Sequence, residues 1–431
     1  LKQKSGMNFY EEMKWRGMID NHTPNIKELF EQDQVVGYIG FDPTAPSLTI
    51  GNYVQIMILK LFQESGHTPI VLMGGATGRI GDPSGKDAER QLKTEEELDA
   101  NLNFQYEQLS KFLNFSSGEN KAILVNNHDF YRDMNVLEFL RKAGKVLTIN
   151  YMISKESVKN RMESGISFTE FSYQLLQAYD FQMLYEKQNC KLQMGGSDQW
   201  GNITAGTEFI RKNIPNADAY ALTTPLLTKT DGSKFGKSAE GNIWLDPNMT
   251  SPYAFYQFWL NTSDADLAKF VKYFSLRPRS EMEELIQQVE VDPQAVKREL
   301  AAELSSRIHS ESACESARVV SQFLFNKKAK AADAQSLKKA DLDIIANEIP
   351  SFTISRSDLN DEISVVDLLS EKTSICSSKS EARRAVKGNA VSINKQKYTD
   401  PDAQVEISNL LHDQYILVDN GKKNKFIVSV G

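Results

Sequence analysis

The sequence predicts an α/β fold, an open parallel sheet followed by a helical region and a small α+β unit. Three observations carry this. Short apolar runs alternate with helical patterns over the first half of the chain, and each run ends in a glycine-rich loop. From Ser251 onward helical spacing takes over. After about Thr353 come one amphipathic helix, one short strand and a hairpin signal. The length, 431 residues, is about three domains at ~150 residues each.

Met7–Phe30 has apolar positions at helical spacing and predicts a helix. Val35–Phe41 is short and weakly alternating, as a strand should be, and Asp42-Pro43-Thr44 breaks it. Ile50 opens a helix to about Glu64, stopped by Ser65-Gly66. Thr68–Met73 is a second strand ending in Gly74-Gly75. Strand, helix and strand imply a parallel unit. Lys121–Val125, Gln188–Met194 and Ala221–Leu227 continue the series, the last running into a Gly/Lys loop at 228–237. An aromatic-rich stretch, Ser251–Leu260, begins the helical region, and Lys327–Ser336 reads as helix end plus linker. In the tail, Ser377–Lys387 is a helix and Ala390–Ile393 a strand. Apolar runs at Tyr415–Val418 and Lys425–Val430 flank Asn420-Gly421, a hairpin turn signal.

Composition excludes several classes. With 40% hydrophobic and 25% charged residues the chain is neither disordered nor fibrous. Its net charge of -7 gives no global nucleic-acid signature. Cys190, Cys314 and Cys376 are scattered, so neither a disulfide framework nor a zinc site is expected, and the reading is a reduced, cytoplasmic protein. No apolar run approaches the roughly 20 residues that span a bilayer, so no membrane is expected. Met7-Asn8-Phe9 reads as a native start, with the six residues before it an extension.

Four loops at predicted strand ends could serve chemistry. Gly40–Thr44 with Ile50-Gly51-Asn52 sits between strand and helix, where backbone N–H groups attract an anion. It lacks the Lys-Ser/Thr ending of a P-loop and the glycine spacing of a dinucleotide fingerprint. Gly78–Lys86 offers Asp82 for a cation or ammonium, with Lys86 and Arg90 for a polyphosphate. Gly195–Gly201 offers Asp198 and Gln199 for a polar ligand edge. Lys229–Ser238 has three lysines and two glycines able to close over phosphate and stabilise charge. Each alone is equally an ordinary solvated turn; four together point to one ligand site.

Thr49-Ile50-Gly51-Asn52 and Lys234-Phe235-Gly236-Lys237-Ser238 stand where the two signatures of class I aminoacyl-tRNA synthetases belong. Tyr38–Thr44, Gly78–Lys86, Phe171–Asp180 and Gly196–Asn202 stand with them, and the last three resemble the tyrosine branch closely. The sequence is similar to the bacterial-type tyrosyl-tRNA synthetases from about Met7 to Gly431. The resemblance implies a Rossmann-like catalytic domain at 7–250, a helical anticodon-binding domain at 251–335 and, at 353–431, a C-terminal RNA-binding domain like one in a small-subunit ribosomal protein. It implies activation of tyrosine by ATP to tyrosyl adenylate and pyrophosphate, then transfer to the 3' end of tyrosine tRNA. It implies that Asp180 and Tyr38 bind the phenol hydroxyl, that Asp82, Tyr173 and Gln177 bind the ammonium, and that Gln199 lies near the carboxylate. Gly40, Asp42, Gly51, Gly196, Asp198 and Lys237 are expected at the nucleotide, and Thr44, Thr49, Asn52, Lys86, Arg90, Lys234 and Lys237 around the departing pyrophosphate. Mg2+ is expected on the nucleotide, with no protein-built metal site, and the family is homodimeric.

Two features stand beside the resemblance. Thr49 and Asn52 replace the two usual histidines of the first signature, which keeps a non-catalytic RNA-binding scaffold open as a second reading. A tryptophan-specific synthetase is a third, and Asp180 with Tyr38 favours a phenol over an indole. Independently of the family, residues 372–397 carry seven Lys/Arg and one Glu inside a tail that nets zero. Lys379, Arg383, Arg384 and Lys387 are therefore candidate RNA contacts, made to shape and phosphate rather than by base stacking.

Overall fold

The computed structural model describes residues 8–32, 34–84, 91–162, 165–238, 241–326, 328–360, 363–421 and 424–431. Met7, Lys86 and Arg90 lie outside the described residues. The chain divides into two compact units, 1–249 with 262–296, and 250–261 with 297–431. The helical region expected at 251–335 is thus shared between both.

The first unit is built on five parallel strands: β1 (Val36–Phe41), β2 (Thr68–Met73), β3 (Ile123–Asn126), β4 (Leu192–Gly196) and β5 (Tyr220–Thr224). Their order is β3-β2-β1-β4-β5, with every pairing parallel. β2 and β4 are buried at every residue, which is why β2 reads as an apolar run without alternation. The chain leaves β1 toward β2 and returns to β4 on its other side. A crevice therefore opens at the carboxyl ends of β1 and β4, the topological switch point of such a sheet.

Helix Ile50–Glu64 packs on β1 and β2 and buries Ile50, Tyr53, Ile56, Ile58, Leu59 and Phe62. Helix Phe168–Gln188 pairs with helix Trp200–Asn213, and its Phe181 ring sits 5.3 Å from that of Tyr38. Each such side chain contributes roughly 1.5–3 kcal/mol on full burial.

Several boundaries differ from expectation. The single helix expected over Met7–Phe30 is two, Phe9–Arg16 and Ile26–Leu29, because Gly17 turns left-handed at φ 73° and caps the first. The segment after it pairs with the outer edge of β5: the backbone N–H groups of Asp20 and Thr23 donate to Thr223 and Ala221. The strand expected from Gln188 starts at Leu192, since the long helix runs to Gln188 and Asn189 caps it with a positive φ. β5 stops at Thr224, before Pro225, which has no N–H for the ladder.

In the second unit helix Pro252–Leu260 packs against helix Glu311–Phe325 and buries Phe255 and Trp259 completely. The tail forms a mixed sheet in the order Gln396–Lys397, Val391–Ile393, Tyr415–Asn420, Asn424–Val430, Ser351–Ile354, whose last pairing is parallel. Ala382 and Val386 of helix Lys379–Lys387 enter the same core as Val391, Ile393 and Ile416. His412 Nε2 lies 2.7 Å from the Leu337 carbonyl, and the Tyr415 hydroxyl donates to Asp343, tying this sheet to the preceding helices. All three cysteines are buried and unbridged. No described helix is long and apolar enough to cross a membrane.

Gly37 lets the central strand lie against a ring. A Cβ there would stand 3.0 Å from Phe62 Cζ and 3.3 Å from Leu192 Cβ. Gly37→Ala is expected to destabilise the first unit by about 1–2 kcal/mol, the overpacking penalty less the gain from a stiffer unfolded chain. Urea titration checks this, and an unchanged or higher midpoint would show that the ring moves aside without cost.

Candidate active site

The crevice at the switch point is a cavity of about 540 Å³. Of the residues expected to bind ligand, Tyr38, Gly40, Asp42, Thr44, Thr49, Gly51, Asn52, Asp82, Tyr173, Gln177, Asp180, Gly196, Asp198 and Gln199 all line it. Lys234 and Lys237 lie on the neighbouring loop, outside this wall.

One chain of hydrogen bonds joins the floor. The Tyr173 hydroxyl donates to Asp42 Oδ2 at 2.8 Å, and the Thr77 hydroxyl donates to Asp42 Oδ1 at 2.7 Å. Asn127 Nδ2 donates to Thr77 Oγ1 at 3.0 Å and to Asp180 Oδ2 at 2.8 Å, while the Tyr131 hydroxyl donates to Asp180 Oδ1 at 2.6 Å. Asp42, Thr77, Asn127 and Tyr131 follow β1, β2 and β3, so three strand ends are fixed to one another. Gly74 makes this possible, because a Cβ there would meet Asp42 Oδ1 at 2.1 Å.

Asp180 is 1% exposed. Burial pushes its carboxyl up to about 7 and Asp42 adds to this, while the Tyr131 and Asn127 donors pull it down. Beside it the Tyr38 hydroxyl is buried and has no hydrogen-bond partner. Burial raises that phenol's pKa well above its ordinary range, and the nearby Asp180 charge raises it further. A buried hydroxyl left in this state costs roughly 1–3 kcal/mol, so its position is one that a ligand satisfies.

The opposite wall carries a second cluster. Asp82 accepts from Gln199 Nε2 at 2.7 Å, from the Ser84 backbone N–H at 2.9 Å and from Asn202 Nδ2 at 3.3 Å. Gln177 Oε1 is buried without a partner. The Tyr173 hydroxyl has spent its proton on Asp42, so its oxygen is an acceptor toward the cavity. Burial, then Asp82, raises the pKa of Asp198. Four carboxylates thus face one cavity, and no described lysine or arginine lines it. Among the described residues no group of three or more His, Cys, Asp or Glu side chains is placed to hold a metal ion.

The residues of the first signature also form a helix cap. Thr49 caps helix Ile50–Glu64, and Asn52 is its reciprocal partner. The Thr49 hydroxyl donates to Asn52 Oδ1 at 2.8 Å, the Thr49 N–H donates to the same oxygen at 3.0 Å, and the Asn52 N–H donates to Thr49 Oγ1 at 3.3 Å. The Thr49 hydroxyl proton is thus engaged by Asn52. With its oxygen held twice, Asn52 keeps its Nδ2 as the donor to a ligand. The second signature abuts this turn: a Cβ on Gly236, at φ 84°, would lie 2.9 Å from Ile50 Cγ2 and 3.3 Å from Gly51 N. Thr230 donates through N–H and hydroxyl to Asp266, which anchors the base of the lysine loop.

In the tail, three of the seven cations at 372–397 are paired with carboxylates outside that segment. Lys372 pairs with Asp358, Lys379 with Asp367 and Glu371, and Lys395 with Asp419. The net +6 of that stretch overstates its field. Arg383, Arg384 and Lys387 are exposed on helix Lys379–Lys387.

Sequence reasoning missed Thr77, Asn127, Tyr131 and Asn202 as members of these networks. Asn127 carried a signal, standing directly after an expected strand. Asn202 closes the Gly196–Asn202 block already singled out, and Thr77 and Tyr131 come from segments with no motif of their own.

The family described as tRNA synthetases class I (W and Y) matches residues 31–326, and the tyrosine–tRNA ligase SYY-like C-terminal domain matches 341–428. A tyrosine–tRNA ligase of Cytophaga hutchinsonii is 51% identical over 425 residues, 98% of this chain and 99% of that one. One of Bacteroides fragilis is 48% identical over 432 residues, again 98% and 99%. Among solved structures, a C-terminally truncated mitochondrial tyrosyl-tRNA synthetase of Aspergillus nidulans superposes with a TM-score of 0.66 at 30% identity, covering 74% of this chain and 94% of that one.

The reciprocal cap predicts coupling. Thr49→Val is expected to cost about 1 kcal/mol of stability. Asn52→Ala added to it should cost less than its effect alone, with an interaction of at least about 0.5 kcal/mol. Chemical denaturation of both single variants and the double variant measures this, and strict additivity would mean that the two side chains do not act as a pair.

Proposed function

Because the chain belongs to the class I tRNA synthetases of the tryptophan and tyrosine group and ligates tyrosine to its tRNA, we propose that the four-carboxylate cavity is where tyrosine is activated by ATP. The observation that carries the assignment is the unpartnered Tyr38 hydroxyl beside Asp180. A phenol oxygen both donates and accepts. It can give its proton to Asp180 and take that of Tyr38, completing both groups. An indole N–H only donates and would leave Tyr38 unsatisfied, which argues against tryptophan.

The ammonium has three protons, and three acceptors face it: Asp82 Oδ2, the Tyr173 oxygen and Gln177 Oε1. Fixing the substrate at both ends directs its carboxylate, on the Gln199 side, at the α-phosphate of ATP. The nucleotide lies along Gly40, Asp42, Gly51, Gly196 and Asp198, with Thr44 and the 49–52 helix start near its phosphates. The carboxylate oxygen forms a bond to phosphorus as the bond to pyrophosphate breaks. Position and charge stabilisation are what the protein supplies.

The acidic wall attracts the ammonium and repels the triphosphate. Positive charge for the leaving group must then be brought in. We assign it to Mg2+ carried by the nucleotide and to Lys234 and Lys237 on the adjoining loop, with Lys86 and Arg90 in the same role. The amide of Asn52 keeps a neutral donor where a signature histidine would stand. A complete tyrosine pocket weighs against a scaffold that has lost catalysis.

The tRNA is proposed to use the region at 251–335 and the module at 353–431, with Arg383, Arg384 and Lys387 on phosphates and the positive charge of Lys379 offset by its two carboxylate partners. Two copies are proposed to associate through exposed apolar side chains such as Val136, Leu137, Leu140, Ile149 and Phe168. The setting is the cytoplasm.

Two outcomes test this reading. In tyrosine-dependent ATP–pyrophosphate exchange, Asp180→Asn should lose roughly 2–3 kcal/mol of preference for tyrosine over phenylalanine. A preserved preference would remove Asp180 from the phenol site. Arg383→Glu with Arg384→Glu should leave exchange intact and lower tRNA charging at least tenfold, with a shallower dependence on salt. Unchanged charging would place the RNA elsewhere.

A further inference from the structure

Tyr131 has no place in any motif, yet it touches the residue that reads the substrate hydroxyl. It ends the short helix His128–Tyr131 that follows β3. Its hydroxyl has two acceptors within reach, Asp180 Oδ1 at 2.6 Å and the Leu176 carbonyl at 2.9 Å, and one proton to give. Its ring is held by Tyr179 at 5.7 Å and Phe139 at 6.0 Å. The oxygen is thus placed by packing and not by the bond it makes.

We propose that Tyr131 is a positioning residue for tyrosine selection, holding the Asp180 carboxylate ionised and turned toward the substrate hydroxyl. This rests on the reading that Asp180 takes that hydroxyl. The two acceptors give the arrangement two satisfied states. When Asp180 is ionised, Tyr131 donates to it, and the carboxylate keeps lone pairs for the substrate. When Asp180 is protonated, the acid donates to the Tyr131 oxygen and Tyr131 donates to Leu176. The second state presents a weaker acceptor to the phenol.

The groups that face Asp180 set which state wins. They are Tyr38 on β1, Asp42 after it, Tyr131 after β3, and Tyr173 and Tyr179 on its own helix. Burial and Asp42 favour the proton; the donors Tyr131 and Asn127 oppose it. Removing the Tyr131 hydroxyl therefore shifts Asp180 toward the acid form, so ionisation requires higher pH.

The test uses the full-length enzyme carrying Tyr131→Phe, which keeps the ring and its packing. Exchange is measured with tyrosine and with phenylalanine from about pH 5.5 to about pH 9, beside Asp180→Asn and with a melting curve for each protein. The acid limb of kcat/KM for tyrosine should move up by about one pH unit, and the preference for tyrosine should fall roughly tenfold near neutral pH. Phenylalanine exchange should be unchanged. An unmoved limb with an unchanged preference overturns the proposal, and so do equal losses with both amino acids, which a structural role would give. If Asp180→Asn keeps its preference, the phenol reading fails and this inference falls with it. If Asp180→Asn loses preference while Tyr131→Phe does not, only the inference fails.

Discussion

The carboxylate of Asp42 is the joint on which the site depends. It accepts Thr77 on one oxygen and Tyr173 on the other, and through Thr77 and Asn127 it reaches Asp180. Parallel strands end at one edge of a sheet but diverge there, because twist rotates each against the next. Hydrogen bonds among the residues that follow them hold those ends at fixed separations. The glycine at 74 belongs to the same constraint, since any larger residue would displace the carboxylate. The lining of the cavity is thus an extension of the network that closes the end of the sheet.

The same network explains the imbalance of charge. Carboxylates are suited to holding an ammonium and a phenol, and buried ones are costly unless donors surround them. Asp42 and Asp82 are met by such donors, and Asp180 by two. Among the described residues these walls offer a polyanionic nucleotide no cationic partner. The lysines stand apart from these walls, on a loop whose base is anchored at Asp266, and the role proposed for them is to supply the positive charge that the cavity itself does not carry.

Much of this was legible in the sequence. Strands ending in glycine loops gave the parallel sheet, and the expected pocket residues converge on one cavity because strand ends do. What could not be read was pairing. Nothing in the spacing of Thr49 and Asn52 as ligands showed that they would bind each other, although threonine three residues before an amide is also a helix-cap pattern. Charge counting at 372–397 missed Asp358, Asp367, Glu371 and Asp419, which are distant in sequence or flank the segment. The first helix was overextended because apolar spacing continued past Gly17, and only the left-handed turn there ends it. Tyr131 was invisible for the plainest reason: an isolated aromatic residue is usually core, and half of this one is.

The reciprocal cap at Thr49 and Asn52 has a consequence for how such a site changes over generations. Each side chain satisfies a backbone group of the other, so replacing either one strands its partner at the head of the helix. This pair cannot be exchanged one member at a time without passing through an intermediate that lacks the reciprocal cap at the head of the helix. The two positions are therefore expected to drift together, and reverting one of them alone should be harmful even where the full reversion is tolerated. The route between the two forms of the signature is a valley only two substitutions wide, and a lineage that has crossed it is held on the far side by its own helix cap.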